Sequence, residues 1–177
     1  FSKTVIITAT AAFDREKGVP DLPRNLTYKG KLNDQGKQYY ILQFDDCIKE
    51  SWKDNLRTQG VKFYDYIPNF AFIVSCSPQK INDLKNAAHV AWLGRYHPAY
   101  KISPFIGKLP VTSPERKDDD RFWLIVTVLD KEDLSEVKEE LIKLDGKITS
   151  VVDTPFRYSF EVKIKPEYID SIARLEH

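Results

Sequence analysis

Twice along this chain, a strand with apolar residues on both faces leads into an amphipathic helix, a second strand, a tight turn, a third strand and a helix opened by proline. The first copy occupies residues 37–101 and the second begins near Arg121. Tight turns join antiparallel neighbours, whereas helical connections carry the chain over one face of the sheet and return right-handed. The pattern therefore constrains the chain to layered α+β units, each with its helices on one side of an antiparallel sheet.

In the first copy, residues 37–44 form a strand with Tyr39, Ile41 and Gln43 on one face and Tyr40, Leu42 and Phe44 on the other. Large apolar groups on both faces indicate a central strand covered on both sides. Ile48, Trp52 and Leu56 recur every fourth residue and mark the buried stripe of a helix over residues 49–59, which Gly60 ends. A strand at residues 61–66 turns at Ile67, Pro68 and Asn69 into a strand at 70–76. Ser77 is placed to cap a helix whose first residue is Pro78, with Ile81, Leu84 and Ala88 inward. Residues 90–95 close the sheet, with Trp92 and Leu93 on opposite faces. The face away from the helices is thus expected to be apolar and exposed, and such a patch marks a binding surface. Tyr39, Tyr64, Tyr66, Trp92, Tyr96 and Tyr100 are the candidate partner-interface residues.

Residues 1–36 read as an N-terminal arm with a candidate strand at 4–10, and Pro20 and Pro23 exclude helix further on. Gly30 and Gly36 bracket a turn-rich approach to the first sheet. Residues 102–120 form a proline-rich and acidic linker, ending in the charged run from Lys117 to Arg121. Gly94 to Tyr100 reads equally as a strand exit packed on the first unit or as a docking segment that steers the following chain.

The second copy occupies residues 121–177. A strand at 122–129 precedes a helix marked by Leu134, Val137, Leu141 and Leu144 and ended by Gly146. Strands at 147–153 and 156–163 follow, and Pro166 opens a second helix with Ile169, Ile172 and Leu175 beneath it. The repeat is explicit: Phe70, Phe72 and Val74 match Tyr158, Phe160 and Val162, Pro78 matches Pro166, and Ile81 matches Ile169. His89 falls opposite His177, so the second copy stops where its fourth strand is due. Leu175, Glu176 and His177 read either as the repeat continuing or as the remnant of a tag. The expected fold is α+β, with two tandem ferredoxin-like βαββαβ units, antiparallel sheets and the last strand missing from the second.

Lysine and arginine number 27 against 26 acidic residues, and no basic run provides a nucleic-acid footprint. No apolar run reaches the ~18 residues of a membrane span. Hydrolase chemistry needs a nucleophile, a base and an orienting group. The three histidines, His89, His97 and His177, lie near no nucleophile motif, and the paired carboxylates read as solvated surface runs. No catalytic, cofactor-binding or metal-binding residue is assigned. Cys47 and Cys76, the two cysteines, are placed at opposite ends of the first sheet, too far apart for a bridge.

Residues 39–44, Trp52 with Leu56 and Gly60, residues 65–74 and residues 90–104 are similar in order and spacing to the N-terminal pro-region of large bacterial and archaeal subtilisin-like serine proteases. Phe13, Pro20, Leu22 and Asn25 extend the resemblance upstream, over roughly residues 13–105, and the second unit resembles a further propeptide or inhibitor-type domain. Cys47 departs from the family, which often has turn residues there. The resemblance implies a non-catalytic, exported chain, secreted or at the cell surface. It implies a folding chaperone and temporary inhibitor that packs an open sheet face against the subtilisin-like catalytic domain of the same precursor. The alternative is a tandem binding or assembly module unrelated to protease maturation.

Overall fold

In a computed structural model, the structure describes residues 3–28, 38–110, 112–117 and 119–176. The approach at Gly30 to Gly36, Lys37, Asp118 and His177 lie outside the described residues. The chain is a mixed α+β protein with three antiparallel sheets among the described residues, and it divides into two compact units, Phe1–Lys101 and Ile102–Leu175.

The first unit opens with a hairpin, β1 (Val5–Ile7) and β2 (Ala12–Asp14). The main sheet follows: β3 (Gln38–Phe44), α1 (Glu50–Thr58), β4 (Lys62–Ile67), β5 (Ala71–Cys76), α2 (Ile81–Lys85) and β6 (Val90–Arg95). Its strand order is β4-β5-β3-β6, with every neighbouring pair antiparallel. Strand β3 is central and buried along its whole length, as its doubly apolar pattern requires.

Tyr40, Leu42 and Phe44 of β3, Val74 and Cys76 of β5 and Leu93 of β6 pack against Leu56, Ile81 and Leu84 of the helices. Ile48 and Trp52 complete the stripe spaced by four residues. Gly60 takes a φ of +87°, a left-handed value that lets the chain leave α1 at little cost. Ser77 makes no side-chain cap. Pro78–Lys80 forms a 3-10 turn instead, and α2 begins only at Ile81.

The second unit contains a helical turn, α3 (Pro114–Lys117), then β7 (Phe122–Val128), α4 (Leu134–Lys143), β8 (Lys147–Thr154), β9 (Arg157–Ile164) and α5 (Ile169–Ala173). Among the described residues its sheet has three strands in the order β7-β9-β8. Val128, Val137, Leu141, Phe160, Val162 and Ile164 form its core. The repeat is visible in the backbone. The 3-10 turns Pro78–Lys80 and Pro166–Tyr168 each lead directly into a five-residue helix, Ile81–Lys85 and Ile169–Ala173. Gly146 ends α4 for a reason other than left-handed geometry. Asp145 carries the positive φ, and a Cβ on Gly146 would lie 2.6 Å from the Leu141 carbonyl oxygen.

Both cysteines are free, Cys47 exposed and Cys76 buried. Gln38 pairs with Cys76 at one end of β3, and Cys47 follows the other end, so strand geometry separates them by about 20 Å. Burial pushes the Cys76 thiol up to about 11, and the thiolate is the reactive form. In the native chain a thiol reagent at pH 8 is expected to label Cys47 rapidly and Cys76 at least ten-fold more slowly, with both equal in denaturant. Mass spectrometry of the labelled peptides checks this, and equal native rates would contradict the burial of Cys76.

Candidate functional site

The face of the first sheet turned away from α1 and α2 carries Tyr39, Ile41 and Gln43 from β3, their cross-strand partners Ala71, Ile73 and Ser75 from β5, and Trp92 and Gly94 from β6. The chain covers much of this face itself, which corrects the expectation of an exposed apolar patch. The β1–β2 hairpin places Ile6 and Phe13 in buried positions against it. The Phe13 ring meets Trp92 edge-on at 5.7 Å and stacks near Tyr100 at 6.1 Å.

Gln43 fastens the hairpin. Its side chain is fully buried. Its Oε1 accepts a hydrogen bond from Arg15 Nη1 at 2.5 Å, and its Nε2 lies within bonding reach of the carbonyls of Lys3 (3.2 Å), Val5 (3.3 Å) and Asn69 (2.9 Å). Asn69, at a φ of 66° in the β4–β5 turn, donates from Nδ2 to the Val5 carbonyl at 2.9 Å. Two polar side chains thus tie strand, turn and hairpin together where apolar contact alone would leave the hairpin register free. Further along, Thr10 donates from its hydroxyl to the Ala99 carbonyl at 2.8 Å.

The six residues singled out from the sequence meet different fates. Tyr39 and Tyr100 are buried and are not presented to a partner. Among the described residues the Tyr100 hydroxyl finds no hydrogen-bond partner, and burial pushes its pKa up to about 12. Tyr64 is half-buried beside Tyr39 at 5.5 Å, and its hydroxyl is 3.0 Å from the Ser75 hydroxyl. Trp92 is half-buried between Phe13 and Gly94, where a Cβ would come within 2.1 Å of the indole. Tyr96 is half-buried near Tyr100, and burial, followed by the charge of Asp65, pushes its hydroxyl up to about 12.

Tyr66 is 54% exposed and departs from the others. A register shift between Phe63 and Tyr66 turns it toward Phe72, which it meets edge-on at 5.4 Å, and its hydroxyl accepts from the Phe70 amide at 3.2 Å. The structure therefore gathers Trp92, Tyr96 and Tyr100 around the hairpin, buries Tyr39 beside Tyr64, and leaves Tyr66 as the one strongly exposed ring of the six. An open pocket of about 350 Å³ remains beside the hairpin tip, bordered by Asp65, Tyr66, Tyr96 and Tyr100.

The segment after β6 is packed, not extended. Pro98–Tyr100 forms a 3-10 turn whose three residues are all buried, so the reading of a strand exit packed on the first unit holds. His97 Nδ1 accepts from the Tyr28 amide at 3.2 Å. Burial, and secondarily the Arg95 guanidinium, hold the imidazole below its ordinary 6.5. His89, at a φ of 67°, stacks on Trp52 with centroids 3.9 Å apart.

In the second unit, the face away from α4 presents Trp123, Ile125 and Thr127 beside Lys163, Glu161 and Ser159. Ile125 is 59% exposed. Trp123 donates from its indole to Asp119 at 3.0 Å, with Lys163 Nζ 3.8 Å and the Arg116 guanidinium 4.8 Å from its ring. Asp119, read from sequence as part of a solvated hinge, is thus a hydrogen-bond partner of the sheet. No group of three or more metal-ligating side chains occurs among the described residues, and no described helix is long and apolar enough to cross a membrane.

Fold and faces together define a two-unit α+β protein whose first sheet is roofed by its own N-terminal hairpin. The chain belongs to the family described as a domain of unknown function (DUF8729), whose model matches residues 8–97, about half of the chain and within the first unit. No curated protein and no solved structure matches it.

Two outcomes test this geometry. Gln43→Leu keeps the volume but leaves the Arg15 guanidinium and the carbonyls without their partner. It is expected to lower stability by about 1–3 kcal/mol in urea denaturation and to speed amide exchange in β1 and β2 more than in β5. For His97, the folded state favours the neutral imidazole. Its contribution is complete above about pH 6.5 and is lost as pH falls through the depressed folded value. Midpoints measured from pH 7.5 downward should therefore fall on acidification in the parent chain, and fall less steeply in His97→Asn.

Proposed function

We propose that this chain is a non-catalytic pro-region of a subtilisin-like serine protease, acting as folding chaperone and temporary inhibitor of the catalytic domain of the same precursor. The reading rests on the likeness of roughly residues 13–105 to such pro-regions. The observation that carries it is the strand order β4-β5-β3-β6 with both helices on one side. That is the order expected of a βαββαβ ferredoxin-like unit, the architecture the resemblance implies. We read the second unit as a further ferredoxin-like unit. Its order β7-β9-β8 agrees, with the place of a fourth strand beside β7. In this reading the chain is exported with its protease and takes no cofactor, metal or nucleic acid.

Where the partner sits changes with the hairpin in view. A pro-region docks an open sheet face, and the first unit's face is largely closed by β1 and β2. The second unit's face keeps Ile125 exposed and is the better candidate for contact with surface helices of the catalytic domain. Tyr64, Tyr66 and Tyr96 remain as the outer aromatic contacts of the first unit. Trp92 contributes by holding the hairpin, as does the buried Tyr100 from beneath, while Tyr39 is buried beside Tyr64.

A second reading, a tandem assembly module, draws on β7 itself. No strand pairs with its outer edge among the described residues, and its sequence Phe-Trp-Leu-Ile-Val-Thr-Val carries none of the charges that usually blunt an edge.

The deciding experiment adds the purified chain to the catalytic domain of its precursor and measures peptide hydrolysis and refolding yield. The proposal expects saturable inhibition and a higher refolding yield, both weakened at least ten-fold by Ile125→Asp and little changed by Tyr66→Ala. Absence of both effects would sink the pro-region role. Loss with Tyr66→Ala alone would return the contact to the first unit.

A further inference from the structure

We propose that the pocket beside the hairpin tip is a binding site for a small organic cation, an ammonium group on an apolar body. Its volume of about 350 Å³ lies at the low end of the range, roughly 300–1,000 Å³, typical of small-ligand pockets. The inference is independent of the pro-region reading, because it concerns the part of the first unit's face that the hairpin leaves open.

The lining dictates the ligand. Ile7 from the hairpin and Ile73 from β5 supply apolar walls, Tyr96 and Tyr100 supply aromatic ones, and Tyr66 borders the pocket while its ring packs on Phe72. Among the described residues Asp65 is the only charged one that lines the pocket, and no described lysine or arginine does. Asp65 sits within the register shift of β4, between Phe63 and Tyr66. Irregularities of this kind re-aim side chains and are frequent beside functional sites. The Asp65 carboxylate is near enough for its charge to act on the Tyr96 hydroxyl.

A carboxylate at the rim of an apolar, tyrosine-lined hollow discriminates by charge. An anion of the same shape is repelled, and a neutral molecule costs the carboxylate part of its hydration and returns nothing. A cation gains the ion pair and, where it reaches a ring face, the attraction of the aromatic quadrupole. The hollow's apolar walls reward a ligand whose charge is carried on a hydrocarbon stem. A free amine and a basic side chain of a peptide share this chemistry.

The probes are phenethylamine, its neutral analogue 2-phenylethanol, the anion 3-phenylpropionate and N-acetyl-Phe-Lys amide, each titrated into the full chain by NMR. The proposal expects saturable shifts of the Ile7, Ile73 and Tyr96 resonances with a cationic probe, and binding at least ten-fold weaker for the neutral molecule and the anion. Asp65→Asn, an exposed substitution that preserves the fold, should weaken the cation ten-fold or more. Ala9→Trp, at the exposed hairpin tip lining the pocket, should abolish binding by filling it. Tighter binding of the dipeptide than of phenethylamine assigns the site to a peptide side chain, and the reverse assigns it to a free amine. No saturable shift with either cation, equal affinity for the anion, or binding indifferent to Asp65→Asn would overturn the proposal.

Discussion

The buried amide of Gln43 is the contact on which the shape of the first unit depends. It stands on the central strand, on the face that no helix covers, and both ends of its amide are satisfied by the N-terminal hairpin and the β4–β5 turn. A buried amide left without partners is costly, whereas a fully satisfied one selects a single arrangement. The hairpin supplies that satisfaction together with the apolar cover of Ile6 and Phe13. Remove the hairpin, and Trp92 loses the Phe13 ring while Gln43 loses Arg15 and two of its three carbonyls. Polar fastening and apolar burial therefore act together, and the hairpin belongs to the fold as much as β3 does.

The two units use one grammar for different ends. In each, a proline-opened 3-10 turn leads into a short helix, and a central strand is flanked by antiparallel partners. The first unit spends its second sheet face on its own N-terminal segment. The second keeps a mixed face, with Ile125 exposed and Trp123 held by Asp119 between two cationic side chains. Phe156, 97% exposed in the β8–β9 turn, adds a further uncovered ring. Among the described residues, uncovered apolar and aromatic side chains thus remain on the second unit and beside the pocket at the first hairpin.

Much of this was legible in the sequence because period and punctuation are local properties. The alternation along residues 38–44, the fourfold spacing of Ile48, Trp52 and Leu56, and the prolines at 78 and 166 locate strands, helix and turns to within a residue or two. The antiparallel pairing that keeps Cys47 and Cys76 apart follows from the same local signals. What escaped was long-range. Residues 4–10 read as a single strand, but the chain turns back at Thr8 to Ala11 and forms a hairpin that lies on a sheet beginning more than 20 residues later. One clue was present: Gln43 is a polar residue set between Leu42 and Phe44 in a strand with large apolar groups on both faces, and such a residue needs a buried partner. The partners, Arg15 and carbonyls of the hairpin and turn, carry no composition or spacing that marks them. Likewise the register shift that sends Tyr66 away from Tyr39 is a property of β4 pairing with β5, invisible in the tyrosine spacing alone.

The central claim is that the N-terminal hairpin roofs the first sheet, and an NMR distance measurement tests it most directly. With ring centroids 5.7 Å apart, Phe13 and Trp92 should give strong cross-relaxation between their side-chain protons in the full chain. Contacts from Ile6 methyls to the same sheet face should accompany them. Phe13 and Ile6 at random-coil shifts, with no cross-relaxation to Trp92, would contradict the account and return the sheet face to the solvent.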